Sequence, residues 1–164
     1  MDLLLIHEIE SRKTSAFLKT YNEVAENFER VFEQLTGGKG HLDLTDDENP
    51  LEGGIDVRVR TKEGKSFTHL RALSGGEKTI TALAFIFALQ EYYPTPFYIF
   101  DEIDAALDKE NSEKLAELLK KYSSQSQIIV ISHNDHIITQ SDYLYGVSMN
   151  KLGESGVVGI KLPK

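Results

Sequence analysis

The chain contains no cysteine and no tryptophan among its 164 residues. The lack of cysteine excludes disulfide bonds and thiolate metal sites, as expected of a protein that works inside the cell. Its five histidines are scattered, so they indicate no metal cluster. Residues 1–9 include four consecutive apolar residues, but this run is far too short to span a membrane. Its acidic flank does not suit a secretory signal either.

Positive charge is also scarce. There are 18 Lys and Arg against 26 Asp and Glu, which gives a net charge of −8 and a pI near 5.1. This balance argues against a dominant nucleic-acid-binding face on this chain. Arg58, Arg60 and Lys62 could touch nucleic acid, but a solvated strand face is the favoured interpretation. With 40% hydrophobic residues, the chain is expected to form one compact domain with a real core.

A P-loop is missing as well. This motif, Gly-x-x-x-x-Gly-Lys-Ser/Thr after a strand, cradles the phosphates of a nucleotide. Residues 37–40, Gly-Gly-Lys-Gly, have the wrong spacing, and residues 75–79, Gly-Gly-Glu-Lys-Thr, lack the first glycine and place Glu before Lys. Without that loop the chain has no nest for the phosphates. We therefore expect it to bind a nucleoside triphosphate poorly on its own.

Two adjacent carboxylates follow a short apolar run. Residues 97–100 predict a buried parallel strand, and Asp101 and Glu102 come directly after it. Ligands of open α/β sheets gather beyond the carboxyl ends of the strands. Asp101 could hold a hydrated Mg²⁺ there, and Glu102 could orient or deprotonate an attacking water. The alternative is that both acids only begin a loop or cap a helix.

A serine and two glycines precede a long apolar segment. Residues 79–92 predict a buried helix, which places Ser74, Gly75 and Gly76 at its N-terminus. Free backbone N–H groups and the helix dipole attract phosphate there. The glycines would allow a ligand to approach the backbone, and the serine would add a donor. The alternative is an N-cap serine followed by two flexible residues.

Three polar residues complete the candidate site. His133 follows a second apolar run that predicts another buried strand, where it could contact a γ-phosphate or the attacking water. A lone histidine there can equally be a polar loop residue. Asp108 is the natural N-cap of an amphipathic helix predicted over Lys109–Tyr122. Asp104 lacks a comparable structural explanation, since that helix already has its cap.

In this order the motifs resemble the ATP-binding cassette (ABC) superfamily. By this resemblance, residues 73–77 are the signature motif and residues 97–102 are the Walker B strand. Residues 104–108 are the D-loop, and His133 is the switch histidine. Within the superfamily, the sequence is most similar to the heads of structural maintenance of chromosomes (SMC) proteins. The SMC branch is supported by residues 73–79, 96–108 and 142–149. The resemblance runs from about Gly53 to the last residue.

The resemblance implies a fold and a domain division. We expect an α/β fold, the C-terminal lobe of an ABC-type (P-loop NTPase-like) ATPase head, with a mostly parallel sheet flanked by helices and a hairpin around Gly153. SMC proteins carry the P-loop in the N-terminal half of the head, beyond a very long coiled coil. The simplest expectation is therefore a C-terminal half, cut from a much longer protein. Residues 1–36 would end the coiled-coil arm or dock on the head, and residues 37–164 would form the lobe.

A heptad stripe near the N-terminus fits this division. Apolar residues recur at steps of four and three, at Phe17, Tyr21, Val24, Phe28, Val31 and Leu35. The stripe is short, so an ordinary amphipathic helix packed on the core would explain it equally well. The two interpretations are compatible, because an arm helix that enters a head must dock on it.

The resemblance also implies a mechanism. Two heads would sandwich two ATP molecules, with Asp101 serving Mg²⁺ through water, Glu102 activating water and His133 near the γ-phosphate. The nucleotide of the opposite head would be reached by the signature residues Ser74, Gly75, Gly76 and Glu77, and the D-loop residues would be Asp104 and Asp108. ATP would hold the heads together and hydrolysis would release them, in chromosome condensation and segregation. The chain would hydrolyse ATP only when complemented by the N-terminal half.

The implied partners are the Walker A half of the same head, a second SMC head, the winged-helix domain of a kleisin and, through the full complex, DNA. We expect the kleisin contact in the tail, residues 143–162, no membrane contact, and a cytoplasmic location on chromosomal DNA. A repair ATPase of the zinc-hook or recombination type shares the split head but is disfavoured by the tail. A transporter domain usually has Pro-Thr where this chain has Ile103-Asp104. A pure interaction module is disfavoured because Glu102 is present.

Overall fold

The structure is a computed structural model that describes residues 3–62 and 64–163. These residues form four helices and seven strands, with a 3-10 turn at Leu70–Ala72. In chain order they are α1 (Leu3–Thr36), β1 (Lys39–Leu44), β2 (Ile55–Arg60), β3 (Thr68–His69), α2 (Gly75–Tyr92), β4 (Phe97–Asp101), α3 (Lys109–Tyr122), β5 (Gln127–Ile131), α4 (Asp135–Gln140), β6 (Tyr143–Met149) and β7 (Ser155–Lys161). No helix in the described ranges is long and apolar enough to cross a membrane.

Helix α1 packs on the core through its second half only. The stripe predicted from the sequence is buried at Val24, Phe28, Val31 and Leu35, whereas residues 5–16 are mostly exposed. The helix ends at Thr36, and Gly37 follows with a φ of 67°, a conformation that favours glycine at a helix end. Because half of α1 belongs to the core, it is part of the domain, and the division at residue 36 stays a prediction.

Helices α2 and α3 complete the helical side of the core. Phe87 of α2 is fully buried and stacks on Tyr122 of α3, with ring centroids 4.9 Å apart. Phe28 of α1 meets Phe85 of α2 edge-on at 6.4 Å. The sequence of α2 has apolar residues on every side of the helix, yet Leu89, on the side away from the core, is exposed. The helix is therefore buried on one side rather than all round.

The central motif is a β4–α3–β5 unit, whose two strands pair in parallel from Phe97 with Gln127 to Asp101 with Ile131. Tyr98 and Phe100 of β4 pack against the helical core. The opposite face of the pair is exposed at Phe97, Ile99, Ile129 and Ile131. The prediction of buried strands is therefore wrong for this face, because no element of the described chain covers it.

The prediction of a mostly parallel sheet is also wrong for the described part of the chain. Three of the four strand pairings there are antiparallel, and only β4–β5 is parallel. The reason lies in the connections. A turn suffices to join antiparallel neighbours, whereas parallel neighbours need a crossover. Among the strands that pair in the described chain, only β4 and β5 have a helix, α3, between them. The strands form three small sheets instead of one.

The hairpin predicted around Gly153 is confirmed. Strands β6 and β7 pair from Tyr143 with Lys161 to Met149 with Ser155, and Gly153 in the turn has a φ of 81°. The Asn150 N–H donates to the Glu154 carbonyl at 2.9 Å and closes the turn. Most of both faces of this hairpin is exposed, including several tyrosine, valine and isoleucine side chains. The chain thus ends in an apolar element that lies largely outside its own core.

Candidate functional site

The parallel strand pair brings together the predicted catalytic residues. Asp101 ends β4 and is the register partner of Ile131, which ends β5. The Glu102 N–H then donates to the Ile131 carbonyl at 2.9 Å, so the pairing continues one residue beyond β4. His133 follows two residues after Ile131. Both carboxylates and the histidine therefore lie at the carboxyl end of the same strand pair, where α/β proteins bind ligands.

The three side chains are free to meet a ligand. Asp101, Glu102 and His133 are all exposed, and within residues 3–62 and 64–163 none of these side chains forms a hydrogen bond or ion pair. No three histidine or acidic residues of the described chain are arranged to hold a metal ion. One carboxylate can nevertheless hold Mg²⁺ together with the phosphates of a substrate, because the ion takes few protein ligands and keeps several waters. Asp101 fits that role.

Glu102 has an unusual backbone conformation. Its φ is 48°, which is rare for a residue other than glycine and costs on the order of 1–3 kcal/mol. Two hydrogen bonds hold it there, one from its N–H to Ile131 and one to its carbonyl oxygen from the Ala105 N–H at 3.1 Å. The chain therefore turns sharply out of the sheet at Glu102. Strained backbone of this kind concentrates at functional sites.

The two aspartates that follow have different environments. Asp108 caps α3, because its Oδ1 accepts a hydrogen bond from the Asn111 N–H at 2.8 Å. Asp104 is buried, and its Oδ2 accepts a hydrogen bond from the Ser132 hydroxyl at 2.8 Å. Sequence reasoning singled out Asp104 without a structural explanation and missed Ser132. Ser132 directly precedes His133 in the sequence, and this position could have indicated a role in the site.

Ser74 acts as a helix cap in this structure. Its hydroxyl accepts from the Glu77 N–H at 3.4 Å and donates to Glu77 Oε2 at 2.7 Å. The Ser74 N–H also donates to Glu77 Oε2, at 2.8 Å, which completes a capping box around the start of α2. The hydrogen bonds from Ser74 lower the pKa of the Glu77 carboxyl below its usual value. Ser74 is thus the N-cap of α2, as the alternative interpretation predicted, but the two glycines after it begin the helix instead of forming a flexible segment. The Glu77 carboxylate lies at the same helix N-terminus.

The two glycines of the signature run differ sharply. A Cβ on Gly76 would lie 2.6 Å from the carbonyl oxygen of Ala106, so the loop of residues 104–108 packs directly on it. A Cβ on Gly75 would meet no described atom within 4 Å. The chain's own packing therefore explains Gly76, but it does not explain Gly75. An exposed glycine with open space beside a helix N-terminus leaves that backbone accessible to a ligand.

Comparison with known proteins places the chain in a family. Residues 7–155 match the family model described as "RecF/RecN/SMC N terminal domain", and the chain belongs to that family. It is 47% identical over 160 residues to the chromosome partition protein Smc of Methanocaldococcus jannaschii, which covers 98% of this chain and 13% of that protein. The chain thus spans about an eighth of such relatives.

Solved structures agree with the family assignment. A structure described as "Structural biochemistry of ATP-driven dimerization and DNA stimulated activation of SMC ATPases" matches with a TM-score of 0.81 and 42% identity, covering 90% of this chain and 89% of that one. An SmcHead bound to the C-winged helix domain of ScpA matches with a TM-score of 0.87 and 42% identity, covering 93% of this chain and 46% of that one. The α/β fold is therefore that of SMC heads, which are ATPases. The family description names an N-terminal domain, so the comparisons do not support the predicted C-terminal half.

Proposed function

We propose that this chain is the C-terminal half of an SMC ATPase head, and that it hydrolyses ATP only together with the half that carries the P-loop. One observation carries the proposal. Asp101 and Glu102 are exposed, have no partner among the described residues and lie at the same strand ends as His133, in a chain whose sequence has no P-loop. Walker B, signature, D-loop and switch histidine belong to the C-terminal half in the SMC resemblance. The match to a little under half of a solved SmcHead is consistent with a half head.

The exposed face of the β4–β5 pair supports a missing partner. Phe97, Ile99, Ile129 and Ile131 form an apolar face that the described chain leaves to solvent. Contiguous apolar patches on a protein surface mark interaction sites. Because the face adjoins Asp101, a half head that covered it would also bring its P-loop toward the carboxylates. We therefore place the P-loop half on this face.

The geometry of the site supports the chemistry that we assign to it. ATP is the substrate, and Glu102 would orient or deprotonate the attacking water, since its carboxylate has no competing partner in the described chain. His133 would donate to the γ-phosphate. Asp101 would hold Mg²⁺ through water, and the ion would neutralise charge on the phosphate oxygens when bound. The nest for the phosphates must come from the P-loop half.

The start of α2 would reach a nucleotide held by a second head. The open backbone at Gly75 and the helix N-terminus suit an incoming phosphate. For Ser74 to donate to that phosphate, its hydroxyl must leave the Glu77 carboxylate. ATP would then join the two heads, and hydrolysis would separate them. A solved relative is described as undergoing ATP-driven dimerization.

Partners and location extend the same proposal. The exposed β6–β7 hairpin is the candidate contact for the winged-helix domain of a kleisin, since a solved relative is an SmcHead bound to the C-winged helix domain of ScpA. Arg58 forms a two-pronged ion pair with Asp43, and the Arg60 guanidinium lies 5.5 Å from the Phe67 ring centroid. Both cations are thus used within the chain, so DNA would be contacted through the full complex. The protein would act in chromosome partition, in the cytoplasm and on chromosomal DNA.

The test measures ATP turnover by this chain alone and after co-folding with the P-loop half. We expect turnover only in the pair, and Glu102→Gln should lower kcat about a hundredfold or more while ATP-dependent head pairing persists. Glu117→Gln is the matched control, because Glu117 is an exposed glutamate of α3 outside the site. Turnover by the lone chain that Glu102→Gln leaves undiminished would contradict the proposal.

A further inference from the structure

A single side-chain hydrogen bond joins the two loops that leave the candidate site. One loop carries Glu102 and runs through residues 102–108, and the other carries His133 and runs through residues 132–134. Between them, the Ser132 hydroxyl donates to Asp104 Oδ2 at 2.8 Å. It is the only side-chain hydrogen bond between these two loops in the described chain. Each loop bears one proposed catalytic group, so this contact links the two groups.

On one side of the link, Ser132 anchors the backbone around His133. Its oxygen accepts a hydrogen bond from the Asn134 N–H at 2.9 Å while its hydrogen goes to Asp104. Asn134 in turn caps α4, because its side chain accepts from the His136 N–H at 2.9 Å. Residues on both sides of His133 are thus held by hydrogen bonds, although the imidazole itself is exposed and has no hydrogen bond or ion pair with the described residues. Its position therefore depends on these neighbours.

On the other side, Asp104 belongs to the turn that Glu102 begins. The Glu102 carbonyl accepts from the Ala105 N–H at 3.1 Å, and the Asp104 carbonyl accepts from the Leu107 N–H at 3.0 Å. Asp104 is 8% exposed, and no cation of the described chain pairs with it. A buried carboxylate with so little compensation disfavours folding. This cost suggests that the residue serves the site rather than the stability of the chain.

We infer that Asp104 and Ser132 are a positioning pair, which holds Glu102 and His133 at a fixed separation for the hydrolysis proposed above, on which this inference rests. Neither residue touches the nucleotide. The exposed side chains of Glu102 and His133 form no hydrogen bond or ion pair in the described chain, so the two loops must define their spacing. A misplacement of about 1 Å can cost two orders of magnitude in rate.

The test uses the complete head, formed from this chain and its P-loop half. Ser132→Ala removes the donor and should lower kcat about tenfold, with KM for ATP unchanged within twofold and ATP-dependent pairing retained. Ser132→Thr keeps the hydroxyl and should remain within twofold of the unmodified head. Ser112→Ala is the matched control, because Ser112 is a buried serine whose hydroxyl has no partner in the described chain. It should leave kcat unchanged.

Several results would overturn the inference. They are a kcat for Ser132→Ala within twofold of the unmodified head, an equal loss in Ser132→Thr, and an equal loss in Ser112→Ala. Glu102→Gln, measured in parallel, separates this failure from failure of the proposed function. If Glu102→Gln abolishes turnover while Ser132→Ala does not change it, only the positioning pair is wrong. If Glu102→Gln retains turnover, the proposed function itself is wrong, and the positioning pair falls with it.

Discussion

The molecule has a helical side, formed by α1, α2 and α3, and a strand side, formed by the β4–β5 pair. The two sides differ in how many of their apolar side chains are buried and how many of their polar groups are paired. On the helical side, Phe28, Phe87 and Leu115 are fully buried. On the strand side, Ile99 is 61% and Ile131 is 51% exposed, although both lie in the central parallel pair. The described chain thus holds a core of its own but leaves the face beside its candidate site uncovered. Stability resides mainly on one side and the proposed chemistry on the other.

Polar groups follow the same division. On the helical side, Glu91 of α2 pairs with Arg30 of α1 and accepts the Tyr122 hydroxyl of α3 at 2.7 Å. On the strand side, the carboxylates of Asp101 and Glu102 have no partner in the described chain. Unpartnered groups at the surface cost little in water, and they remain available for a ligand. The strand side, where polar groups lack partners in the described chain, is therefore the side to test for function.

The same substitution on the two sides should give the largest contrast. Ile80 of α2 is 3% exposed, so Ile80→Ala should lower the free energy of unfolding by about 2–5 kcal/mol. Ile99→Ala on the bare face should lower it by less than about 1 kcal/mol, since the side chain is mainly in water already. Urea unfolding of the isolated chain measures both values. Equal losses would show that the β4–β5 face is covered in solution.

The complete head should reduce that contrast. If the P-loop half covers the face, Ile99→Ala should cost more in the pair than in the lone chain, by up to about 2–3 kcal/mol, because a buried isoleucine contributes that much. Ile80→Ala should cost the same in both. A cost for Ile99→Ala that did not change on pairing would place the P-loop half elsewhere on the molecule.

The two signature glycines should separate packing from ligand approach. Gly76→Ala places a Cβ 2.6 Å from the Ala106 carbonyl oxygen, and the backbone must move, so we expect a loss of about 1–3 kcal/mol in the isolated chain. Gly75→Ala meets open space and should be neutral or stabilise the chain by up to about 1 kcal/mol. Thermal unfolding distinguishes the two variants.

Gly75→Ala, which should not destabilise the isolated chain, should impair the pairing of heads. In the complete head, Gly75→Ala should weaken ATP-dependent pairing of heads while ATP binding to a single head is kept, because the added methyl group lies where the phosphate would approach. Analytical ultracentrifugation with and without ATP measures the pairing. Unimpaired pairing in a stable Gly75→Ala head would argue against the contact with the opposite nucleotide.

Much of this arrangement could be predicted from the sequence because local patterns determine it. Continuous apolar runs predicted β4, β5 and α2, and an amphipathic pattern with a capping residue predicted α3. The order of motifs predicted Asp101, Glu102 and His133 at the strand ends. The serine before two glycines was ambiguous. The structure shows a capping box with Glu77, which the spacing of Ser74 and Glu77 would have signalled.

The remainder could not be predicted, because it depends on what packs where. An apolar strand looks the same in sequence whether or not an element covers each face, so the exposure of Ile99 was missed. The bond between Asp104 and Ser132 joins residues 28 positions apart, and no periodicity reports it. The left-handed φ of Glu102 had no signal either, since glutamate is not a residue that favours it.

The hydrogen bond between Tyr122 and Glu91 should give the smallest effect and a defined pH dependence. Tyr122→Phe removes a buried hydroxyl that donates to Glu91 Oε1 at 2.7 Å, so the free energy of unfolding should fall by about 1–2 kcal/mol near neutral pH. Burial, together with the bond to Glu91, raises the pKa of Tyr122 above its ordinary value of 10.0. A raised folded-state pKa means that this stabilisation is complete below pH 10 and is lost as the pH rises further, because the unfolded tyrosine ionises first. Urea unfolding between pH 7 and 11 should show a steeper decline above pH 10 for the unmodified chain than for Tyr122→Phe. Parallel declines would mean that the hydroxyl is already exposed in solution, and the helical side would then be less complete than its packing indicates.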